Sequence, residues 1–199
     1  MKRVCVFCAS SAGTSPVFLQ AAATVGGVLA ARGLGVVYGG AKVGMMGALA
    51  DAALAAGGEV HGVIPAGLAA REVAHERLTT LEVVDSMHIR KQRMHALSDG
   101  FLTLPGGFGT LDELFETLTW AQIGVHQKPV ALLSAGPYFD PLLQFLDGAV
   151  ESGLLQAVYR DLLLVDRDAD VTAATHRLVD RMAAWQPPSL ARWLTAAQT

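Results

Sequence analysis

An α/β fold of Rossmann-like type, with a mostly parallel sheet of about seven strands and helices on both faces, is predicted by three features of the chain. Short β-rich apolar runs alternate with longer segments of helical periodicity. The runs are continuously apolar rather than alternating, as strands covered on both faces by helices require. Clusters of small residues stand where strands would hand over to helices, the positions at which open α/β sheets bind ligands.

The strands are expected at Val4–Phe7, Leu34–Tyr38, Glu59–Ile64, Leu81–Val84, Phe101–Leu104, Val130–Leu133 and Leu162–Val165. Helices are expected over Pro16–Ala31, Gly44–Ala56, Met87–Ser98, Leu111–Gly124, Tyr138–Ser152 and Ala169–Trp185, because apolar residues recur there at three- and four-residue spacing. Pro187-Pro188 stops the last helix, and a short amphipathic tail, Leu190–Ala197, follows it. No repeat, low-complexity tract or linker divides the chain, so residues 1–199 are expected to form a single domain with a short tail from about residue 187.

With 199 residues, 52% of them hydrophobic and 17% charged, the chain can bury one substantial core. A net charge of −3 supplies no basic stripe for a nucleic-acid backbone, so a polymeric nucleic acid is not an expected partner. The apolar stretch after Lys2-Arg3 is too short for a secretory core and reads as a first strand. No run approaches the ~18 apolar residues of a membrane span, and the expected location is the cytoplasm. Cys5 and Cys8 have C-x-x-C spacing, but there is no second ligand pair for zinc and no helix start for a thioredoxin-type motif. Buried strand thiols in a reducing compartment are the plainer account. The six histidines show no ligand spacing, so a metal is not implied.

Chemistry concentrates in Leu104-Pro105-Gly106-Gly107-Phe108-Gly109-Thr110-Leu111-Asp112-Glu113, which joins a strand, a glycine loop and an acid-bearing helix start. Glycines let a backbone approach a ligand closely, and the free N–H groups and positive dipole end of a helix favour a phosphate. Two further loops, Ala9 to Pro16 with Ser10 and Ser11, and Gly39-Gly40-Ala41-Lys42-Val43-Gly44, would meet it beyond the strand ends. Glu113 admits two readings. Thr110 to Glu113 fits a capping box, with Thr110 as the cap, and Glu113 equally suits an ionised carboxylate that stabilises an oxocarbenium-like sugar or activates a water. Near a helix N-terminus and a cation, it should remain ionised at neutral pH.

On the helix Met87–Ser98, the residues Met87, Arg90, Lys91, Met94, Leu97 and Ser98 share a face. Its two cations either snorkel to water or find an anion inside, and Glu113 is the natural partner for Arg90. Glu72, in Arg71-Glu72-Val73-Ala74-His75, could accept hydrogen bonds from a ribose or base.

These segments together resemble the Lonely Guy family, the cytokinin riboside 5′-monophosphate phosphoribohydrolases, whose P-G-G-x-G-T-x-x-E hallmark stands complete from Pro105 to Glu113. Val6 to Ser11, Val37 to Ala41, Val43 to Gly47, Gly62 to Pro65, Arg71 to His75, Met87 to Lys91 and Thr119 to Gln122 also look like family segments, in family order. The resemblance implies hydrolysis of the N-glycosidic bond of a nucleoside 5′-monophosphate, a prenylated adenylate or AMP, by a homodimer with active sites near the subunit interface and no cofactor. It assigns Arg90 and Glu113 as the catalytic pair. Glu72, Lys91, Gly106, Gly107, Phe108, Gly109, Thr110, Leu111, Asp112 and Thr119 would contact substrate, with Gly39, Gly40 and Ser10 from the neighbouring loops. Two departures, Ala41 in place of a third glycine and Asp112 where Glu is frequent, touch only phosphate positioning and substrate preference. A nucleotide or molybdenum-cofactor carrier that binds through the same loops without turnover is the competing reading. A lysine decarboxylase would need a Schiff-base lysine from among Lys2, Lys42, Lys91 and Lys128, none in a recognisable context. A nicotinamide oxidoreductase would need a G-x-G-x-x-G fingerprint that the first loop lacks.

Overall fold

The apolar runs become strands because they can bury both faces only between two layers of helices, and only the edge strand Thr80–Val84 leaves most of its side chains exposed. The computed structural model describes residues 1–69 and 73–189. In chain order the elements are β1 (Arg3–Phe7), α1 (Pro16–Ala31), β2 (Gly35–Tyr38), α2 (Gly44–Ala55), β3 (Val60–Pro65) and a single turn α3 (Ala66–Leu68). Then come β4 (Thr80–Val84), α4 (Met87–Leu97), β5 (Gly100–Thr103), α5 (Phe108–Gln122), β6 (Val130–Leu133) and a 3₁₀ turn (Gly136–Phe139). The chain continues through α6 (Asp140–Glu151), a short α7 (Ala157–Arg160), β7 (Leu163–Asp166) and α8 (Val171–Ala183). The expected tail Leu190–Ala197 lies outside the described residues.

The strand order is β4-β3-β2-β1-β5-β6-β7, and every pairing is parallel. Val4 of β1 faces Val36 of β2 on one side and Gly100 of β5 on the other. The order reverses between β1 and β5, so the connections leaving these two strands diverge to opposite faces and open a crevice at their carboxyl ends. One layer packs α1, α2 and α8 against Val4, Val6 and Tyr38 through Leu29, Leu49 and Leu178. The other packs α4, α5 and α6 against Cys5, Phe7 and Phe101 through Met94, Leu114 and Leu143. Cys5 and Cys8 therefore belong to opposite faces of the sheet, both buried as free thiols. No helix among the described residues is long and apolar enough to cross a membrane.

The strand positions agree with the sequence to within a residue or so, and the helix starts differ where local geometry intervenes. α5 begins at Phe108, three residues before the expected Leu111, with Gly107 (φ −93°, ψ −149°) as its N-cap and no side-chain cap. The capping-box reading of Thr110 is thereby corrected. Thr110 lies inside the first turn against Gly106, which has no Cβ to obstruct it. α6 begins at Asp140 instead of Tyr138, because Ser134 closes a separate 3₁₀ turn ahead of it by accepting from the Phe139 N–H (3.2 Å). The Asp170 carboxylate accepts from the Ala173 N–H (3.0 Å) and starts α8 at Val171 instead of Ala169.

Candidate active site

The loops after β1, β2 and β5 meet at the crevice. The Ala9 N–H donates to the Pro105 carbonyl (3.1 Å), and the N–H groups of Met45 and Met46 donate to the carbonyls of Ser11 and Ala9 (both 3.2 Å). These bonds tie the start of α2 to the β1 loop and the β1 loop to the β5 loop. The β2 loop is held from outside, where Lys42 N–H donates to the Val73 carbonyl (2.8 Å) and His75 N–H to the Gly40 carbonyl (2.9 Å). Between the loops lies a cleft of about 480 Å³, within the ~300–1,000 Å³ usual for small-molecule sites.

Arg90 and Glu113 meet in the wall of this cleft. Ser86 caps α4 by accepting from the Ile89 N–H (3.2 Å), which turns Arg90 inward. Arg90 Nε donates to the Val63 carbonyl (3.0 Å), and Nη1 lies 3.2 Å from Glu113 Oε1. Both residues are buried, at 6% and 5% exposure. Room for the guanidinium comes from Gly39, where a Cβ would collide with Arg90 Nη2. Burial pushes the Glu113 carboxyl up to about 7, with Arg90 pulling the other way. The expectation of a fully ionised acid is therefore corrected, since desolvation outweighs the neighbouring cation. Burial also raises the Cys8 thiol beside it, so this cysteine is a neutral part of the wall.

The first turn of α5 supplies a different chemistry. No described residue accepts from the N–H groups of Gly107, Phe108, Gly109 or Thr110, the orphan donors that any helix start presents. A Cβ on Gly107 or Gly109 would meet nothing within 4 Å, so neither glycine is demanded by packing. Open space beside unpaired N–H groups at a positive dipole end is what an anion needs.

Among curated proteins, the chain is 45% identical over 163 residues to a cytokinin riboside 5′-monophosphate phosphoribohydrolase of Arabidopsis thaliana, covering 82% of this chain and 76% of that one. It is 42% identical over 187 residues to a probable enzyme of the same name from Oryza sativa subsp. japonica, covering 94% and 85%. The chain belongs to the Lonely Guy family. A family profile described as possible lysine decarboxylase also matches residues 46–175. The cofactor that this description implies, pyridoxal phosphate, does not fit, because no lysine lines the cleft. Lys42 is paired with Glu76, Lys91 with Asp112 and Glu116, and Lys128 donates to the His95 carbonyl. Among solved structures, the molybdenum cofactor carrier protein of Chlamydomonas reinhardtii superposes with a TM-score of 0.67 at 21% identity, covering 92% of this chain and 99% of that one. The molybdenum cofactor binding protein of Rippkaea orientalis gives 0.63 at 19%, covering 90% and 98%. These two likenesses establish the shared fold.

Of the site residues expected from the sequence, Ser10, Gly39, Gly107, Phe108, Gly109 and Thr110 line the cleft together with Arg90 and Glu113. Gly40 (φ +78°) and Gly106 belong to the same loops but are not part of the cleft lining. Leu111 packs into the core layer of α4 to α6. Lys91 does not line the cleft, and its Nζ sits 3.1 Å from Asp112 Oδ2 and 2.9 Å from Glu116 Oε1. Thr119 is exposed further along α5, donating to the Phe115 carbonyl (2.7 Å). Glu72 lies outside the described residues. The sequence reading passed over an apolar wall of Val43, Met46, Ile64, Leu68 and Val73. Nothing distinguishes such residues from core until a cleft is seen beside them.

Proposed function

We propose that this single nucleotide-binding domain hydrolyses the N-glycosidic bond of cytokinin riboside 5′-monophosphates, and of AMP, to the free base and ribose 5-phosphate. The observation that carries this reading is the buried Arg90–Glu113 pair in the wall of a cleft that the unpaired N–H groups at the start of the same α5 helix also line. A phosphate on those donors sets one end of the nucleotide, and the apolar part of the cleft lining suits adenine and a prenyl substituent. The pentose then lies between them, against Glu113.

As the bond from the anomeric carbon to the base nitrogen breaks, its electron pair leaves with the base and positive charge grows on the sugar. The Glu113 carboxylate stabilises that charge. Water adds to the anomeric carbon and gives a proton to Glu113, while the departing base takes up a proton from solvent at its ring nitrogen and Glu113 returns its own to solvent, so one water is consumed and no proton is gained or lost. A carboxyl titrating near neutrality can accept the proton and release it again within a turnover. Arg90, anchored on the Val63 carbonyl, holds Glu113 in place and keeps part of it ionised despite burial. No cofactor enters these steps.

Lys91, Asp112 and Thr119, which the family resemblance implies as contacts and which lie outside the cleft lining, are assigned to a homodimer whose sites lie near the subunit interface. Supporting that assembly is a groove of about 640 Å³ that Ile89 and Gln92 of α4 line together with Glu116 and Trp120 of α5. Free thiols buried on opposite faces suit the reducing cytoplasm.

Incubation with AMP and with isopentenyladenosine monophosphate, followed by chromatography of base and ribose 5-phosphate, tests the proposal. Stoichiometric release of both products is expected. A carrier of the same fold would hold the nucleotide through the same amides and release no base, and that result would overturn the assignment.

A further inference from the structure

The turn after β6 does something that none of the residues discussed so far explains. Ser134, fully buried, donates through Oγ to the Gly136 carbonyl (2.6 Å) and accepts from the Phe139 N–H (3.2 Å). Gly136, at φ +71°, lets the chain fold back within that turn. Tyr138 is thereby lifted toward the β5 loop. Its ring meets Phe18 of α1 edge-on with centroids 5.5 Å apart and Phe139 at 5.0 Å, and its hydroxyl donates to the Gly106 carbonyl at 2.8 Å.

The consequence follows from the geometry of a trans peptide, in which a carbonyl and the next N–H point in opposite directions. Holding the Gly106 carbonyl outward turns the Gly107 N–H away from Tyr138. Gly107 lines the cleft, and no described residue accepts from its N–H. The neighbouring carbonyls are fixed as well, Pro105 by the Ala9 N–H (3.1 Å) and Gly107 by the Leu111 N–H (3.0 Å). Every carbonyl from Pro105 to Gly107 thus has a donor, while the N–H groups from Gly107 to Thr110 have no described acceptor. Only the donor from Tyr138 comes from a side chain.

We propose that Tyr138 is a positioning residue for phosphate binding, which sets the Gly106–Gly107 peptide so that its N–H faces the 5′-phosphate of the nucleotide. The inference rests on the nucleotide reading above. It makes Tyr138 act on phosphate capture and not on the bond-breaking step, because its hydroxyl touches neither Arg90 nor Glu113.

Tyr138→Phe keeps the ring contacts with Phe18 and removes only the hydroxyl. With isopentenyladenosine monophosphate, KM should rise about three- to tenfold, the loss of one hydrogen bond, while kcat stays within about twofold. Calorimetric affinity for ribose 5-phosphate should fall by the same factor, and inhibition by adenosine, which has no phosphate, should not change. A structural role would weaken adenosine and ribose 5-phosphate alike, so a parallel loss would refute the proposal, as would an unchanged KM or a fall confined to kcat. If the variant's melting midpoint drops, the ratio of its ribose 5-phosphate affinity to its adenosine affinity decides, because a general loosening of the fold leaves that ratio at the wild-type value and counts against the proposal. A wild-type protein that releases no base takes down both readings, whereas an active wild type matched by Tyr138→Phe removes the role of Tyr138 alone.

Discussion

Arg90 on α4 lies 3.2 Å from Glu113 on α5, and neither side chain is more than 7% exposed. Taking two charges out of water costs several kcal/mol, so such a pair is weak as a device for stability. Its presence in a cleft, with the acid pushed up to about 7, is the pattern of a group held for proton chemistry.

The pH profile of the reaction should carry that signature. If the carboxylate is the working form, kcat/KM rises with pH along a limb centred near 7 and flattens above it. Arg90→Lys, which keeps a charge but cannot bridge the Val63 carbonyl and Glu113 in the same way, should move the limb to higher pH. Rates measured from pH 5 to 9 would show this, and a limb at the ordinary carboxylate value of 4.5 would contradict the burial effect.

Glu113→Gln should abolish base release by at least ~100-fold while changing stability in a pH-dependent way. The folded acid binds its proton more tightly than the unfolded one, whose value is 4.5. Between that value and about 7 the folded state holds more protons, so wild-type stability falls as pH rises through this window. The glutamine variant does not titrate. It should gain on wild type by an amount on the order of 3 kcal/mol between pH 4 and 8, read from urea midpoints at several pH values. A constant difference would mean that Glu113 is not shifted.

Gly39→Ala places a methyl group where Arg90 Nη2 now lies, with the Met46 sulfur and methyl at 3.1 Å. The expected cost is about 1–3 kcal/mol of overpacking, together with a tenfold or greater loss of turnover as the guanidinium leaves Glu113. Retained turnover at unchanged stability would show that the loop yields and that Arg90 does not depend on it.

Gly109→Ala separates binding from folding in the opposite sense. The added Cβ meets nothing within 4 Å, and Gly109 sits in the first turn of α5, where alanine favours helix by up to ~1 kcal/mol. The melting midpoint should hold or rise while KM for the nucleotide increases, because the methyl occupies space beside the phosphate donors. Unchanged affinity for ribose 5-phosphate would place the phosphate elsewhere.

The alternation of apolar runs with periodic segments, the clustering of small residues after Phe7, Tyr38 and Leu104, and the shared helix face of Arg90, Lys91 and Met94 are local patterns, and each is legible without coordinates. They determined the fold class, the strand positions and the end of the sheet at which a ligand would bind. Local rules reach only about one helical turn, which is why Thr110 could look like a cap until the tight exit at Gly107 started α5 earlier. That shift carries Glu113 into the second turn of the helix that follows the interior strand β5, and the strand order brings Arg90 to it. Burial, and with it the proton affinity of Glu113, depends on what distant segments pack around a side chain, as does the reach of Tyr138 to the Gly106 carbonyl. Sequence alone therefore determined that the glycine loops and the helix start bearing Glu113 stand at the crevice, and the tertiary structure decided which side chains line it and which of them touch, because desolvation and through-space pairing are properties of the packed chain.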